Sequence, residues 1–462
     1  MKLSDAKSVH FIGVGGAGMS AIAKVLLERG HLVSGSDLKR SRAATILEAM
    51  GAVITIGHSA EFLDEQNPDL VVVSSAIPDT NPELIRAREK RLDVMGRGQA
   101  LAAVIEGHRS VVVAGTHGKT TTTSMIVSVM GKAEIDATYL VGGGLNDVGT
   151  NARSGKDSIA VAESDESDGS FLLLSPTVAI VTNVEVDHLD YWKSADDMKQ
   201  GFAQFMSKVA EDGVIVVPRD DADLLAMTRE AGRRTVTFGD GGDVSALKVR
   251  PVTNGTVFDL VHDGESEPVE LQVPGQHNVM NALAAAAGSL QVDVPLVTIA
   301  AGLSDYLGVE RRFQIRGRAK GVTVIDDYAH HPTEVRATLA AARPGPWERV
   351  VAVFQPHRYS RTRAFQAEFG RAFAEADRIV ITDVYGAGEE AIPGVTGKLI
   401  ADSVCSQFPG RPVAYLPHRS ELTGYLEMTS RPGDVVLTLG AGDISTLGPE
   451  ILERLGAVRE RS

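Results

Sequence analysis

The stretch GTHGKTTTT, residues 115–123, follows the apolar run VVVA (111–114) and precedes a helix-like sequence. Its glycines allow backbone N–H groups to turn towards an anion, Lys119 offers a positive charge, and Thr120 offers a hydroxyl ligand for Mg²⁺. The pattern predicts a phosphate-binding loop for a nucleoside triphosphate between a strand and a helix. It is a shortened variant, because Val113 occupies the position of the first glycine in the common motif G-x-x-x-x-G-K-[ST]. The alternative is a strand-to-helix turn that binds no ligand.

Composition narrows the class of protein. A chain of 462 residues is too long for a single core and predicts about three domains. Hydrophobic residues make up 43% and charged residues 23%, which is typical of a globular protein. The net charge of −14 argues against nucleic acid as a partner, and no run of 18 apolar residues indicates a membrane span. The single cysteine, Cys405, excludes an internal disulfide, favours the reducing cytoplasm, and is expected to fill a core.

Three series of apolar runs alternate with helix-like segments, which predicts an α/β protein of three domains. Residues 1–107 form a Rossmann-like domain, residues 108–316 a central P-loop domain, and residues 317–462 a second Rossmann-like domain. Within the central domain, strand-like alternation from about 245 to 273 predicts an antiparallel flap, with turns at Asn254-Gly255 and Asp263-Gly264. The run 275–290 is rich in alanine and predicts a helix.

A second glycine-rich loop lies near the start of the chain. The sequence HFIGVGGAGMS (10–20) contains G-x-G-x-x-G after a strand, and Asp37 follows the next strand at a spacing typical of ribose binding. The motif alone indicates a nicotinamide cofactor, but the same turn binds any pyrophosphate, including that of a UDP-sugar. A structural turn is the alternative. Ser74 and Ser75 end the run Leu70–Val73, where open α/β sheets bind ligands.

Acidic residues follow two strands of the central domain. Glu163 ends a strand within AESDESD (162–168), and His188 ends TNVEVDH (182–188). Both should lie near the phosphate loop, where Glu163 and Thr120 would supply oxygen ligands for Mg²⁺, whereas His188 is a less expected ligand. The remaining acids are expected to be solvated in loops: Asp165, Glu166, Asp168 and Asp187.

Two polar clusters follow strands in the third domain, DDYAHHP (326–332) and FQPHRYSRT (354–362), and suggest a shared cleft. A metal site on the paired histidines is less favoured, because adjacent residues rarely point at one ion. Arg311 and Arg312, just before this domain, could reach a transferring phosphoryl group. A surface charge pair is the alternative.

These motifs, together with GQHNVMNALAA (275–285), closely resemble those of the Mur ligase family across all three domains. The resemblance implies an ATP- and Mg²⁺-dependent carboxylate–amine ligase of cytoplasmic peptidoglycan precursor synthesis. In the member that the motifs match best, the lactyl carboxylate of UDP-N-acetylmuramate takes the γ-phosphoryl group of ATP. The amine of L-alanine then attacks the acyl phosphate.

The resemblance also implies the site residues. Catalytic roles fall to Lys119, His188, Arg312 and Asp327. ATP would be bound by Gly115, Thr116, His117, Gly118, Lys119, Thr120, Thr121, Asn281, Arg312 and Asp327, and Mg²⁺ by Thr120, Glu163 and His188. The UDP-sugar would be bound by Gly15, Gly16, Ala17, Gly18, Met19, Ser20, Asp37, Ser74 and Ser75. We expect the amino acid at His330, His331, His357 and Arg358, with a surface or interdomain role as the alternative for Arg358.

The sequence departs from some Mur ligases, which carry a carbamylated lysine that bridges two metal ions. The corresponding position here is Ala203, and Lys199 is too distant to replace that lysine, so any second Mg²⁺ must be held differently. The alternatives are a ligase of the same fold that attaches a recycled tripeptide, a nicotinamide-dependent dehydrogenase, and a non-catalytic nucleotide-binding scaffold. A dehydrogenase would leave the phosphate loop without a purpose. The sequence does not decide between a monomer and a homodimer.

Overall fold

The computed structural model describes residues 1–144, 146, 150–188, 191–253 and 255–456. The chain divides into two compact units. Unit 1 comprises Met1–Leu247, Asp259–Val269 and Met280–Tyr306, and unit 2 comprises Lys248–Phe258, Glu270–Val279 and Leu307–Ser462. None of the described helices combines the length and the apolar character needed to cross a membrane.

The first sheet of unit 1 has five parallel strands in the order β3-β2-β1-β4-β5. The order reverses between β1 and β4, so a crevice for ligands is expected beyond the carboxyl ends of these two strands. The residues after both strands, Gly13 and Ser74, meet there, since a Cβ on Gly13 would lie 3.1 Å from Ser74 Cβ. The elements are β1 (Ser8–Ile12), α1 (Ala17–Glu28), β2 (Leu32–Asp37), α2 (Arg42–Ala49), β3 (Val53–Ile56), α3 (Ala60–Gln66), β4 (Leu70–Val73), α4 (Pro82–Glu89), β5 (Asp93–Gly96) and α5 (Arg97–Ile105).

The second sheet has the order β15-β14-β13-β12-β11-β10-β6-β9-β7-β8. Strand β6 lies between β10 and β9, both parallel to it, so the phosphate loop leaves the sheet at a reversal of strand order. The elements are β6 (Arg109–Ala114), α6 (Lys119–Lys132), β7 (Thr138–Leu140), β8 (Ala152–Arg153), β9 (Ile159–Glu163), β10 (Val178–Val181), α7 (Ala195–Ser207), β11 (Val214–Pro218), α8 (Ala222–Ala231), β12 (Arg234–Phe238), β13 (Val244–Val252), β14 (Gly255–His262), β15 (Glu265–Leu271), α9 (Gln276–Leu290) and α10 (Leu296–Asp305).

The predicted flap corresponds to β13, β14 and β15. Asp263 and Gly264 join β14 to β15 with φ angles of 49° and 82°, as a two-residue hairpin turn requires. The other predicted turn includes Asn254, which lies outside the described residues. The predicted alanine-rich helix is confirmed as α9.

Unit 2 contains a six-stranded sheet in the order β16-β17-β21-β18-β19-β20. All neighbouring pairs are parallel except β16 and β17, which are antiparallel. The predicted boundary at residues 316 and 317 falls within β16. The elements are β16 (Gln314–Ala319), β17 (Val322–Asp327), α11 (Pro332–Ala342), β18 (Arg349–Phe354), α12 (Tyr359–Ala364), α13 (Gln366–Ala372), β19 (Arg378–Ile381), α14 (Gly397–Gln407), β20 (Val413–Tyr415), α15 (Arg419–Thr429), β21 (Asp434–Leu439) and α16 (Leu447–Arg454). Short 3-10 helices span Leu3–Asp5, Ser170–Leu173 and Asp443–Thr446.

Candidate active site

The phosphate loop is shaped by its two glycines. Gly115 and Gly118 have φ angles of 126° and 81°, which L side chains rarely adopt. A Cβ on Gly115 would overlap Thr182 Oγ1, and a Cβ on Gly118 would overlap Asn281 Oδ1. The backbone can therefore turn here only because these residues have no side chain.

The segment TNVEVDH fixes the loop from the neighbouring strand. The N–H of Thr116 donates to Asn183 O over 3.1 Å, and the N–H of His117 donates to Asn183 Oδ1 over 3.0 Å. Thr182 Oγ1 donates to His117 O over 2.6 Å. Asn183 and Thr182 thus build the loop, although sequence reasoning gave neither a role.

Helix α6 begins at Lys119, and two of its hydroxyl side chains, Thr123 and Ser124, bond to carbonyls of their own helix. Thr123 Oγ1 donates to Lys119 O over 2.9 Å, and Ser124 Oγ donates to Thr120 O over 2.7 Å. These hydroxyls are satisfied while the side chains are buried. Thr121 is also largely buried, at 7% exposure.

Lys119 lies over the loop and is paired with a buried carboxylate. Its Nζ donates to Gly115 O over 2.5 Å and lies 2.8 Å from Glu166 Oε2. Burial would lower the pKa of Lys119, but the carboxylates of Glu166 and Asp165 outweigh it and raise that pKa. Trp192 Nε1 donates to the backbone oxygen of Glu166 over 3.1 Å and holds this residue in place.

The prediction that Glu166 is a solvated loop acid is wrong, since the residue is fully buried. Burial raises the pKa of Glu166 to about 7, with a smaller contribution from Asp165 and opposition from Lys119. Asp187 is also buried, at 4% exposure. Asp165 and Asp168 are each paired with Arg97. These acids therefore form part of an organised charge cluster.

Thr120 and Glu163 meet as the sequence predicted. Thr120 Oγ1 donates to Glu163 Oε1 over 2.9 Å, while the N–H of Gly142 donates to Glu163 Oε2 over 2.7 Å. A hydroxyl and a carboxylate oxygen this close fit the hard oxygen ligands that Mg²⁺ prefers. His188, whose φ is 52°, has its Nε2 3.8 Å from Glu166 Oε1.

Asn281 approaches the loop from α9. Its Oδ1 accepts from Thr122 Oγ1 over 3.4 Å and lies where a side chain on Gly118 would be. His117, at the tip of the loop, has Nε2 3.7 Å from Glu185 Oε2. The structure therefore brings the predicted unit 1 residues of the ATP site into one neighbourhood.

The loop after β1 is organised by Asp37. The N–H of Gly15 donates to Asp37 Oδ2 over 2.8 Å, and the N–H of Lys39 donates to Asp37 Oδ1 over 3.2 Å. Gly16 and Ala17 are exposed at the start of α1, whereas the Met19 side chain is buried in the core.

Ser20 and Ser74 already make local contacts beside this loop. Ser20 Oγ donates within α1 to Ala17 O over 3.0 Å, and Ser74 Oγ accepts from the N–H of Ala76 over 3.4 Å. Ser75 is exposed. Ser74 and Ser75 therefore lie at the expected crevice, whereas the side chains of Met19 and Ser20 are buried.

In unit 2, Asp327 is buried at the end of β17. Its carboxylate accepts from the N–H groups of Phe313 and Ala329 over 2.7 and 2.8 Å. Burial raises the pKa of Asp327, and the Arg312 guanidinium opposes that shift. Arg312 lies over the Tyr328 ring, 5.2 Å from its centroid.

Two residues near Arg312, Arg311 and His277, differ in their contacts and charge. Arg311 donates to Asp326 Oδ2 over 3.2 Å and to Gly440 O over 2.6 Å, so it fastens its segment to the sheet. Burial and the nearby Arg312 charge lower the pKa of His277 to about 4, which keeps this imidazole neutral near pH 7. No sequence signal pointed to His277 beyond its place in GQHNVMNALAA.

The four predicted amino-acid ligands do not form a single cluster. The rings of His330 and His357 lie 5.6 Å apart, and Arg361 Nη1 lies 3.2 Å from His357 Nδ1. By contrast, His331 caps the N-terminus of α11 and packs on Phe365, with ring centroids 4.9 Å apart.

Arg358 contacts Glu389 and Tyr385. Its Nη1 is 3.8 Å from Glu389 Oε1, and its N–H donates to Tyr385 O over 2.9 Å. Sequence reasoning missed Arg361, which is 5% exposed. The available signal was its place in FQPHRYSRT, directly after a strand.

Profiles of three domains of one family match successive parts of the chain. The Mur ligase family catalytic domain matches residues 8–109, the Mur ligase middle domain residues 113–288, and the Mur ligase glutamate ligase domain residues 311–442. Residues 110–112 and 289–310 lie between the profiles.

Curated relatives match almost from end to end. UDP-N-acetylmuramate–L-alanine ligase from Geobacter sp. (strain M21) is 44% identical, covering 98% of each chain. The protein of the same name from Saccharopolyspora erythraea is 47% identical, covering 96% of this chain and 92% of its own.

Solved structures share the architecture. UDP-N-acetylmuramate-alanine ligase from Thermotoga maritima has a TM-score of 0.81 at 31% identity, covering 97% of this chain and 98% of its own. A murein peptide ligase from Psychrobacter arcticus has a TM-score of 0.73 at 24% identity, covering 98% of this chain and 100% of its own, and shows the fold alone.

Proposed function

Because this chain belongs to the Mur ligase family, we propose that it joins L-alanine to UDP-N-acetylmuramate with hydrolysis of ATP. This reaction is a step of peptidoglycan precursor synthesis. Two observations support the proposal. Relatives named UDP-N-acetylmuramate–L-alanine ligase match over nearly the whole chain, and the phosphate loop with Lys119 is suited to binding the phosphates of ATP.

The reaction has two steps, phosphoryl transfer to the carboxylate and formation of the amide. An oxygen of the lactyl carboxylate attacks the γ-phosphorus, and the bond to the ADP oxygen breaks. The alanine nitrogen then attacks the acyl carbon, phosphate leaves, and a proton is released as the amide forms. Products are the amide, ADP and phosphate.

The observation that carries the proposal is the position of Lys119. Its ammonium lies at the N-terminus of α6, where the helix dipole and free N–H groups favour an anion, and it is held there by the loop carbonyls. A fixed cation at this place stabilises charge that develops on a transferring phosphoryl group.

We propose that Thr120 and Glu163 hold Mg²⁺ with the nucleotide. Bound there, the ion would neutralise phosphate charge. His188 remains a proposed third ligand. The lysine that bridges metals in some relatives is replaced by Ala203, and Lys199 pairs with Asp223 over 2.5 Å, so we assign Lys199 no metal role.

The remaining assignments are also proposals. We propose residues 1–107 as the UDP-sugar domain, residues 108–316 as the ATP domain and residues 317–462 as the amino-acid domain. In unit 2, Arg312 and Asp327 are proposed to contact ATP. His330, His357 and Arg358 are proposed to bind the amino acid. We place the enzyme in the cytoplasm, which agrees with its single cysteine.

A phosphate-release assay tests the proposal. Purified protein, ATP and MgCl₂ are incubated with UDP-N-acetylmuramate and, separately, L-alanine, glycine, L-serine or the tripeptide. We expect phosphate release to depend on the sugar nucleotide and to be fastest with L-alanine. Faster release with the tripeptide would favour the ligase that recycles peptides, and a change in nicotinamide absorbance with added NAD would favour a dehydrogenase.

A trapping experiment tests the intermediate. With L-alanine omitted, borohydride should reduce the acyl phosphate to the corresponding alcohol of the UDP-sugar. If no alcohol forms under conditions that support full ligation, the acyl phosphate step is wrong.

A further inference from the structure

Arg97 connects the two ligand loops of unit 1. It is the first residue of α5, directly after β5, and its side chain is 19% exposed. Nη2 donates to Asp168 Oδ2 over 2.7 Å, to Ser170 Oγ over 3.2 Å and to Asp165 Oδ2 over 3.3 Å. One edge of the guanidinium is therefore fixed to the segment that follows β9.

The other edge faces the glycine-rich loop after β1. A Cβ on Gly18 would lie 3.1 Å from Arg97 Nη1 and 3.2 Å from its Cδ, so the third glycine of the motif leaves room for this arginine. Next to it, a Cβ on Gly98 would lie 2.6 Å from Ser170 Cβ, which shows how closely α5 packs on that segment. The hydrogen bonds of the Arg97 side chain to described residues all come from Nη2.

The same contacts continue to the phosphate loop. Asp165 is bonded to Arg97 through its Oδ2. Glu166, the next residue, pairs with Lys119. A continuous series of residues, Arg97, Asp165 and Glu166, thus connects Gly18 to Lys119.

We propose that Arg97 binds the diphosphate of the UDP-sugar through Nη1 while Nη2 holds the 165–170 segment beside the ATP site. Arg97 is then a substrate-binding residue that also links occupation of the two nucleotide sites. The inference rests on the proposed function, because that function places a UDP-sugar at the loop after β1. The planar fork of arginine suits two partners at once, whereas a lysine offers a single point charge.

Calorimetric titration with UDP alone tests the diphosphate contact. Loss of one charge-assisted hydrogen bond should weaken UDP binding by about 10- to 100-fold in Arg97→Met and in Arg97→Lys. The lysine variant keeps a cation beside Asp165 and Asp168, so it guards against a folding defect. Asp168→Asn, which weakens the shortest of the three Nη2 contacts but leaves Nη1 in place, should bind UDP within about threefold of the unchanged protein.

A second titration tests the link between the sites. Saturating UDP-N-acetylmuramate should tighten binding of a non-hydrolysable ATP analogue with MgCl₂ by at least about fivefold in the unchanged protein. This gain should fall below about twofold in Arg97→Met and in Asp168→Asn. If Arg97 were only structural, its variants would change the melting temperature. Asp168→Asn would then not lose the gain in ATP-analogue affinity while keeping its affinity for UDP.

The outcomes are distinct. Weaker binding of UDP-N-acetylmuramate with unchanged binding of UDP would overturn the diphosphate contact and point to the lactyl carboxylate. Unchanged binding of both by folded Arg97 variants would overturn the inference, while ligation by the unchanged protein would still uphold the proposed function. Failure of the unchanged protein to ligate L-alanine would instead overturn the proposed function.

Discussion

Replacing Gly118 by alanine should weaken ATP binding, and the structure allows the size to be worked out. The new Cβ would meet Asn281 Oδ1 well inside 3.0 Å, so the loop or the asparagine must shift. Overpacking of this kind costs about 1–3 kcal/mol. If the nucleotide requires the original loop geometry, that cost reappears on binding and raises Kd about 5- to 150-fold. The left-handed φ of 81° adds about 1–2 kcal/mol to the loss of stability.

Gly107 supplies a matched control. Its φ is 79°, and a Cβ there would meet nothing within 4 Å. Gly107→Ala should therefore lower the melting temperature through backbone strain alone and leave the Kd for an ATP analogue unchanged. Calorimetric titration of both variants measures the difference. Equal affinities in the two variants would refute the argument that Asn281 and the loop are in close contact at Gly118.

Three further predictions concern charge. Lys119→Ala should lower the ligation rate by about 10²- to 10³-fold at saturating ATP, and retention of more than about half of the turnover would contradict the role of the loop. Because the folded pKa of Glu166, about 7, lies above its ordinary 4.5, ionisation destabilises the folded state. The unchanged protein should therefore lose about 3 kcal/mol as the pH rises from 4.5 to 7, and Glu166→Gln should abolish that loss. Urea unfolding at several pH values tests this, and parallel curves for the two proteins would contradict it. Arg358→Ala should raise KM for L-alanine at least about tenfold but not KM for ATP, whereas the exposed Arg363→Ala should change neither. Equal changes in both constants for Arg358→Ala would make it a structural residue.

Local patterns predicted many of the strands and the phosphate loop, because strand runs and glycine turns depend on near neighbours in the chain. They also placed Thr120 beside Glu163, since the carboxyl ends of parallel strands share one edge. Antiparallel β16 was not predicted, because its exposed polar residues carry little apolar pattern.

Burial and pairing could not be deduced in the same way. Whether an acid is solvated depends on which residues pack over it in the folded chain, and Glu166 is buried in contact with Lys119 and Trp192. The expectation that Cys405 fills a core is wrong, since this residue lies on the exposed face of α14. Arg97 carries no motif, and its role arises from the approach of α5 to residues 165–170.

The hydrogen bond from Trp192 to Glu166 has a spectroscopic consequence. The chain has two tryptophans, and the second, Trp347, lies in unit 2, where its indole donates to Ala342 O over 2.6 Å. Trp347→Phe would therefore leave a single indole fluorophore whose N–H is bonded to the backbone of the residue that pairs with Lys119. Its emission should report nucleotide binding to unit 1 in real time, without an added dye and without coupling to a second enzyme.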